Sequence, residues 1–203
     1  PPLLPLSLAA PAGLLGWVGA KFTLSFLSGA LAALLVWVAV RRFEVPITVA
    51  GIGTALAGAS APLAVYGQQV YPEIPAALAL LVGIALTTGR LRRHTLIALV
   101  VALNALPWLG AKYLPVAAAL AVVALVRLAR EQRRAAVWLA ASLALSGVVY
   151  LVAHRLLWGG WTVYATGDHF VQTGEFSVIG VEPDYVGRSL RLVRTAIELS
   201  ALT

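Results

Sequence analysis

The stretch RLRRHTLIALVVALNALPWLGAKYLPVAAALAVVALVRLAREQRR (residues 90–134) opens and closes on arginine clusters, and between Arg93 and Arg127 its only Lys, Arg, Asp or Glu is Lys112. Two apolar runs, joined by Pro107-Trp108-Leu109-Gly110-Ala111-Lys112-Tyr113-Leu114-Pro115, lead out of one cluster and back to the next. Lys and Arg close to the ends of membrane spans stay on the side that is not translocated. An out-and-back path therefore puts both clusters on one face of a bilayer and Lys112 near the other. Arg41-Arg42 forms a third cluster upstream, and the three together hold nine of the fifteen basic residues. The +7 net charge is thus mainly a topology signal, and no nucleic-acid partner is expected from it.

Composition points to the same class. The chain is 61% hydrophobic and 11% charged, with a mean hydropathy of +0.90, so it lacks the polar surface a water-soluble globule needs. The absence of Cys excludes disulfides and thiolate metal sites. The absence of Met leads to the expectation that the chain is an internal or processed piece of a longer protein. No basic n-region precedes the first apolar run, so a secretory signal does not account for the start.

Working outward from residues 90–134, six membrane segments are expected, at about 21–40, 46–67, 74–89, 95–107, 114–129 and 135–157. A spanning helix needs about 20 residues at a rise of 1.5 Å. The first, second and sixth reach that length, while the fourth and fifth fall short and are bracketed by Pro107 and Pro115. Short or broken segments at membrane depth face protein or a watery cavity, which makes them a pointer to a site. The fold class is therefore all-α, a polytopic transmembrane bundle over residues 1–158. Loops 41–45, 90–94 and 127–134 are expected in the cytoplasm, and 68–73, 108–113 and everything after 158 outside it. Tyr66, Tyr71, Trp108, Tyr113, Trp158 and Trp161 would form an aromatic belt at the outer interface, with Trp37 and Trp138 at the inner one. Residues 1–20, uncharged and rich in proline, suit an interfacial or re-entrant stretch better than a seventh span.

From Gly159 the composition turns polar, and five of the eight acidic residues lie in 159–198. This region is expected to be an extracytoplasmic loop followed by an amphipathic helix over Ser189–Leu202, with Arg188, Arg191 and Arg194 away from its apolar side.

Glu73 is the sharpest candidate for chemistry. It sits in Gly67-Gln68-Gln69-Val70-Tyr71-Pro72-Glu73-Ile74-Pro75, in a stretch otherwise uncharged from 45 to 89. An ionisable group near a membrane interior is costly and by default functional. Gln68 and Gln69 add amide groups suited to hydroxyl-rich ligands. The alternative is a carboxylate at the positive end of a helix dipole. Lys112, between Trp108 and Tyr113, suits a lipid phosphate held by charge-assisted hydrogen bonds; the alternative is a snorkelling anchor. Asp168-His169 pairs an acid with an imidazole, although Gly-Asp also reads as a turn. With three His, no Cys and no ligand spacing, no metal site is expected. Gly51, Gly53, Ala57, Gly58 and Ser60 look like small-residue helix packing, and Pro62 is expected to kink that helix.

At these motifs the chain resembles the GT-C superfamily of membrane glycosyltransferases, the polyprenyl-phosphate-sugar-dependent mannosyl- and arabinosyltransferase type. The likeness rests on Tyr71-Pro72-Glu73-Ile74-Pro75, on Leu106-Pro107-Trp108 with Lys112-Tyr113-Leu114-Pro115, and on Gly159-Gly160-Trp161 with Gly167-Asp168-His169-Phe170. It implies a polyprenyl-phosphate sugar donor, a glycan or lipid acceptor, contact with membrane lipid, inversion at the sugar carbon and no cofactor. It also implies an acidic catalytic base in a first extracytoplasmic loop. Residues 1–20 contain no Asp or Glu, so that base is expected N-terminal to residue 1. The substrate-binding set is then Gln68, Gln69, Tyr71, Glu73, Lys112, Tyr113, Asp168 and His169. A transporter or lipid flippase, for which short broken helices and an intramembrane Glu also speak, and a non-catalytic membrane subunit remain open alternatives.

Overall fold

A computed structural model describes residues 3–60, 64, 66 and 69–158, with nothing described for the side chains of Arg93 and Trp158. The described residues are about 90% helical and contain no strand. Among the described residues the α-helices, in order, are α1 Leu3–Phe43, α2 Ile47–Ala59, α3 Glu73–Thr87, α4 Arg93–Leu109, α5 Leu114–Glu131 and α6 Arg133–Trp158. A single 3-10 turn, Ala111–Tyr113, joins α4 to α5. Two compact units divide the chain, Pro1–Tyr150 and Leu151–Thr203. Of the second, the end of α6 is described, where His154 is buried.

Three helical stretches are long and apolar enough to cross a membrane: Leu3–Phe43, Ala111–Glu131 and Arg133–Leu157. Only 11%, 17% and 11% of their most apolar windows is buried, so their outer faces carry large bare side chains such as Phe22, Phe26, Val122 and Trp138. Contiguous apolar surface on this scale calls for a non-aqueous surrounding. The chain is therefore read as associated with a membrane.

Segment lengths depart from expectation in two places. The second segment is not a hydrocarbon-length helix: α2 spans 13 residues and ends where Ser60 turns to extended backbone at φ −67° and ψ 147°. Pro62 and the kink expected there lie outside the described residues. The fifth segment is longer than expected, because the 3-10 turn adds to α5 and brings Ala111–Glu131 to 21 residues. Pro107 does not end α4, since it sits inside the helix near its end. The break falls at Gly110, whose backbone is extended at φ 178° and ψ 137°. Pro115, at the start of α5, occupies the first turn, where a missing N–H breaks no helical bond.

Residues 3–15 form a helical arm. Gly16 interrupts α1 at φ 61° and ψ −148°, a conformation that favours glycine. Beyond the break the chain doubles back, and a Cβ on Gly19 would overlap the Pro11 carbonyl. In a straight helix those two residues would stand about 12 Å apart along the axis. The arm seats Leu4 and Leu8 in one buried cluster with Ala20 and Leu24 of α1, Ala76 of α3, Leu106 and Leu109 of α4, and Ala117 of α5.

A second cluster joins Leu99 and Leu103 of α4, Ala124 and Leu128 of α5 and Leu139 of α6. Val38 of α1 meets Leu81 and Ala85 of α3 in a third. These pairings give each helix its direction. α1 beyond Gly16, α3 and α5 run one way; α4, and α6 to Tyr150, run the other. The glycines expected to pack helices meet nothing among the described residues: a Cβ on Gly51, Gly53 or Gly58 would have no such neighbour within 4 Å. The close approach is instead at Gly83 of α3, where a Cβ would lie 2.5 Å from Leu120 Cδ2 of α5.

Candidate functional site

The helix directions gather the three arginine clusters at one end of the first unit. Arg42, at the end of α1, lies against Gly89 in the turn between α3 and α4. An Arg127 guanidinium N–H from α5 donates to the Thr87 carbonyl. Gln132, between α5 and α6, donates from Nε2 to the Leu91 carbonyl at 3.2 Å.

The opposite end holds the candidate site. α3 opens on Glu73, with Pro72 as the preceding cap residue and no side-chain capping hydrogen bond. Glu73 therefore sits at the positive end of the α3 dipole without capping it, and its carboxylate is available to a partner. That partner is Lys112, presented by the 3-10 turn after the Gly110 break. Lys112 Nζ donates to Glu73 Oε1 at 2.5 Å. The pair is asymmetric: the Lys112 side chain is 61% exposed and that of Glu73 only 22%. The ammonium keeps N–H donors facing outward while the carboxylate is held inward.

Tyr113 completes the group. Its ring lies 5.2 Å from Lys112 Nζ. Gly110 is buried under it, and a Cβ there would come within 3.0 Å of the ring. Glu73 Oε2 and the Tyr113 hydroxyl are both buried with no hydrogen-bond partner among the described residues. Two unsatisfied polar atoms at one place are costly unless something else supplies their partners. Such an arrangement can take a ligand that donates to a carboxylate and presents an anion to an ammonium.

The other expected residues divide around this group. Tyr71 is 49% exposed and stacks edge-on with Tyr66 at 5.9 Å, beside the pair and not within it. Gln69 is exposed in the bend before α3, where its carbonyl accepts from the Tyr71 N–H at 2.9 Å. Gln68, Asp168 and His169 lie outside the described residues. Trp108 meets Tyr150 of α6 edge-on at 5.1 Å.

One feature was not legible from the sequence. A crevice of about 350 Å³ runs between α1, α2 and α3, lined by Ser28 and Leu31, by Thr54 and Gly58, and by Ile74 and Leu81 among others. Its wall is almost wholly apolar, and the Ser28 hydroxyl is turned back to the Leu24 carbonyl at 2.9 Å. It begins at Ile74, the residue after Glu73, and follows α3 to Ile84, about 15 Å further on. No periodicity marks it, because it comes from α2 standing off α3. Among the described residues no group of His, Asp and Glu has the makings of a metal site.

No match to the chain was found among protein-family models, curated proteins or solved structures.

Proposed function

We propose that the chain belongs to a multi-pass membrane glycosyltransferase that takes its sugar from a polyprenyl-phosphate-linked donor on the extracytoplasmic side. In this reading the arginine-rich end faces the cytoplasm. The Glu73–Lys112 end and residues 159–203 face away from it. The observation that carries the proposal is the meeting of Glu73, Lys112 and Tyr113. They bring together two motifs on which the resemblance rests, with two buried polar atoms left unpartnered and an apolar crevice starting one residue away.

The chemistry follows from the donor's three parts. Lys112 holds oxygens of the phosphate with the N–H groups that Glu73 leaves free. Glu73 Oε2 accepts from a sugar hydroxyl, and the Tyr113 hydroxyl donates to the same ring or to the phosphate. The polyprenyl tail lies along the crevice from Ile74. In transfer, a base takes the proton of the acceptor hydroxyl, and the acceptor oxygen forms a bond to the anomeric carbon. The bond from that carbon to the phosphate oxygen breaks, and the lipid phosphate leaves with its electron pair and one more negative charge. Lys112 offsets that charge. The resemblance assigns that base to an acidic residue of a first extracytoplasmic loop, and residues 1–20 contain no Asp or Glu.

Binding of a polyprenyl phosphate to the purified protein in detergent tests the reading. Saturable binding, weakened at least tenfold by Lys112→Gln and unaffected by Lys21→Gln, is the expected result. Equal affinity for a neutral polyprenol, or no loss in Lys112→Gln, would remove the phosphate site.

A further inference from the structure

The arginine-rich end has a second, separate feature. Arg42 ends α1 with its guanidinium 5.1 Å from the Trp37 ring. The same guanidinium rests on the α3–α4 turn at Gly89, a buried residue whose Cβ would overlap it. The turn then exposes Arg90 and Arg92 within three residues. It is fixed from both flanks, by Arg127 on the Thr87 carbonyl and by Gln132 on the Leu91 carbonyl. Thr95 Oγ1 also accepts from the Arg92 N–H at 2.6 Å, which anchors the start of α4. The cations are thus presented on a braced surface and not on a loose loop.

Carboxylates are few there: Glu44 is exposed two residues past Arg42, and Glu131 is taken up by Arg127. Among the described residues the ion pairs are Lys112–Glu73 and Arg127–Glu131, and none of them involves Arg42, Arg90 or Arg92. Arg42 packed on Gly89 sets a third cation against the turn that carries Arg90 and Arg92, and like charges so placed repel unless an anion neutralises them. Guanidinium suits phosphate, which it binds through paired N–H donors. Apolar surface adjoins the same spot: Trp37 is 45% and Phe43 60% exposed. Phosphate oxygens beside bare aromatic surface at a helix end match the interface of a bilayer.

We propose that Arg42, Arg90 and Arg92 form a binding site for the headgroup of an anionic phospholipid, with its acyl chains against Trp37 and the neighbouring face of α1. The site ties the end of α1 to the α3–α4 turn and steadies the α3 helix that carries Glu73 at its far end. The inference rests on the chain being embedded in a membrane and not on the glycosyltransferase reading.

The test is retention of lipid by the full chain, reconstituted in phosphatidylcholine bilayers with and without phosphatidylglycerol. After extraction, bound lipid is counted by native mass spectrometry. Wild type should retain phosphatidylglycerol over phosphatidylcholine, and Arg42→Gln/Arg90→Gln should lose that preference by about tenfold. Arg42→Lys should keep most of it, which shows that the position tolerates change. Lys21→Gln, the loss of one charge roughly 30 Å back along α1, should keep it fully. A thermal unfolding midpoint near wild type establishes that each variant is folded. Equal retention of both lipids overturns the site, as does an equal loss in Lys21→Gln, which would mean diffuse charge alone. Displacement by inorganic phosphate as readily as by phosphatidylglycerol would make it a free-phosphate site and overturn the lipid assignment. A chain that inserts into bilayers without lipid preference sinks this proposal alone, whereas one that fails to insert sinks the membrane reading as well.

Discussion

Lys112 Nζ lies 2.5 Å from Glu73 Oε1, a hydrogen-bonded ion pair across 39 residues of sequence. It fastens the start of α3 to the turn between α4 and α5. An ion pair with one partner this exposed contributes only about 0–1 kcal/mol to stability, too little to explain a charge in so apolar a stretch. The position of the pair beside Tyr113 and the apolar crevice is therefore the more informative fact.

Glu73→Gln separates the two roles of that carboxylate. The amide keeps size and one acceptor but loses the charge, so the midpoint of unfolding in detergent should move by no more than a pair of this kind is worth, about 0–1 kcal/mol. If the chain acts as proposed, sugar transfer from a polyprenyl-phosphate donor should fall tenfold or more, which needs only about 1.4 kcal/mol of lost transition-state binding. Normal turnover at normal expression would leave Glu73 as a dipole-end carboxylate.

The directions of the helices predict sidedness. Because the chain has no Cys, single cysteines report cleanly. Arg92→Cys and Gln69→Cys should react with an impermeant maleimide from opposite sides of an oriented membrane. Labelling of both from the same side would contradict the out-and-back path.

Gly83→Val probes the contact between α3 and α5. The added carbons meet Leu120 where a single Cβ already comes within 2.5 Å, so overpacking should cost about 1–3 kcal/mol. The same substitution at Gly53, where space is open, should cost clearly less. Thermal unfolding of the two variants in one detergent makes the comparison.

Gly16→Ala tests the turn-back of the N-terminal arm. A Cβ at φ 61° and ψ −148° carries backbone strain of about 1–3 kcal/mol. The arm should loosen from Ala20 and Leu24, seen as faster hydrogen exchange over residues 3–15 with little change in α4. Unchanged exchange over the arm would mean that the break does not depend on glycine.

Local pattern decided the all-helical class, the apolar exterior and the grouping of the arginines. These depend on residue type and spacing, and the alternation of Arg clusters with long apolar runs carries them without tertiary information. Helix ends were legible only where one residue dominates its neighbourhood. Pro115 opens α5 as a first-turn proline should, but Pro107 was misleading, since α4 runs through it to Leu109 and breaks at Gly110. Gly51 and Gly53 carried a packing signal with no described residue placed against them, whereas Gly83, one glycine in an aliphatic run, carries a real contact.

By itself, then, the sequence determined that the chain is helical and apolar on the outside, and it singled out Glu73 and Lys112 as the charges that need a reason. Tertiary structure alone decided that the two meet, that Tyr113 joins them and that a crevice opens at Ile74. The cause is the path between them: Gly110 breaks α4, the 3-10 turn swings Lys112 toward Glu73, and α3 packs beside α4 with Glu73 at the matching height. None of those distances is encoded in local spacing, because each depends on how far one helix has slid along another before their side chains interlock.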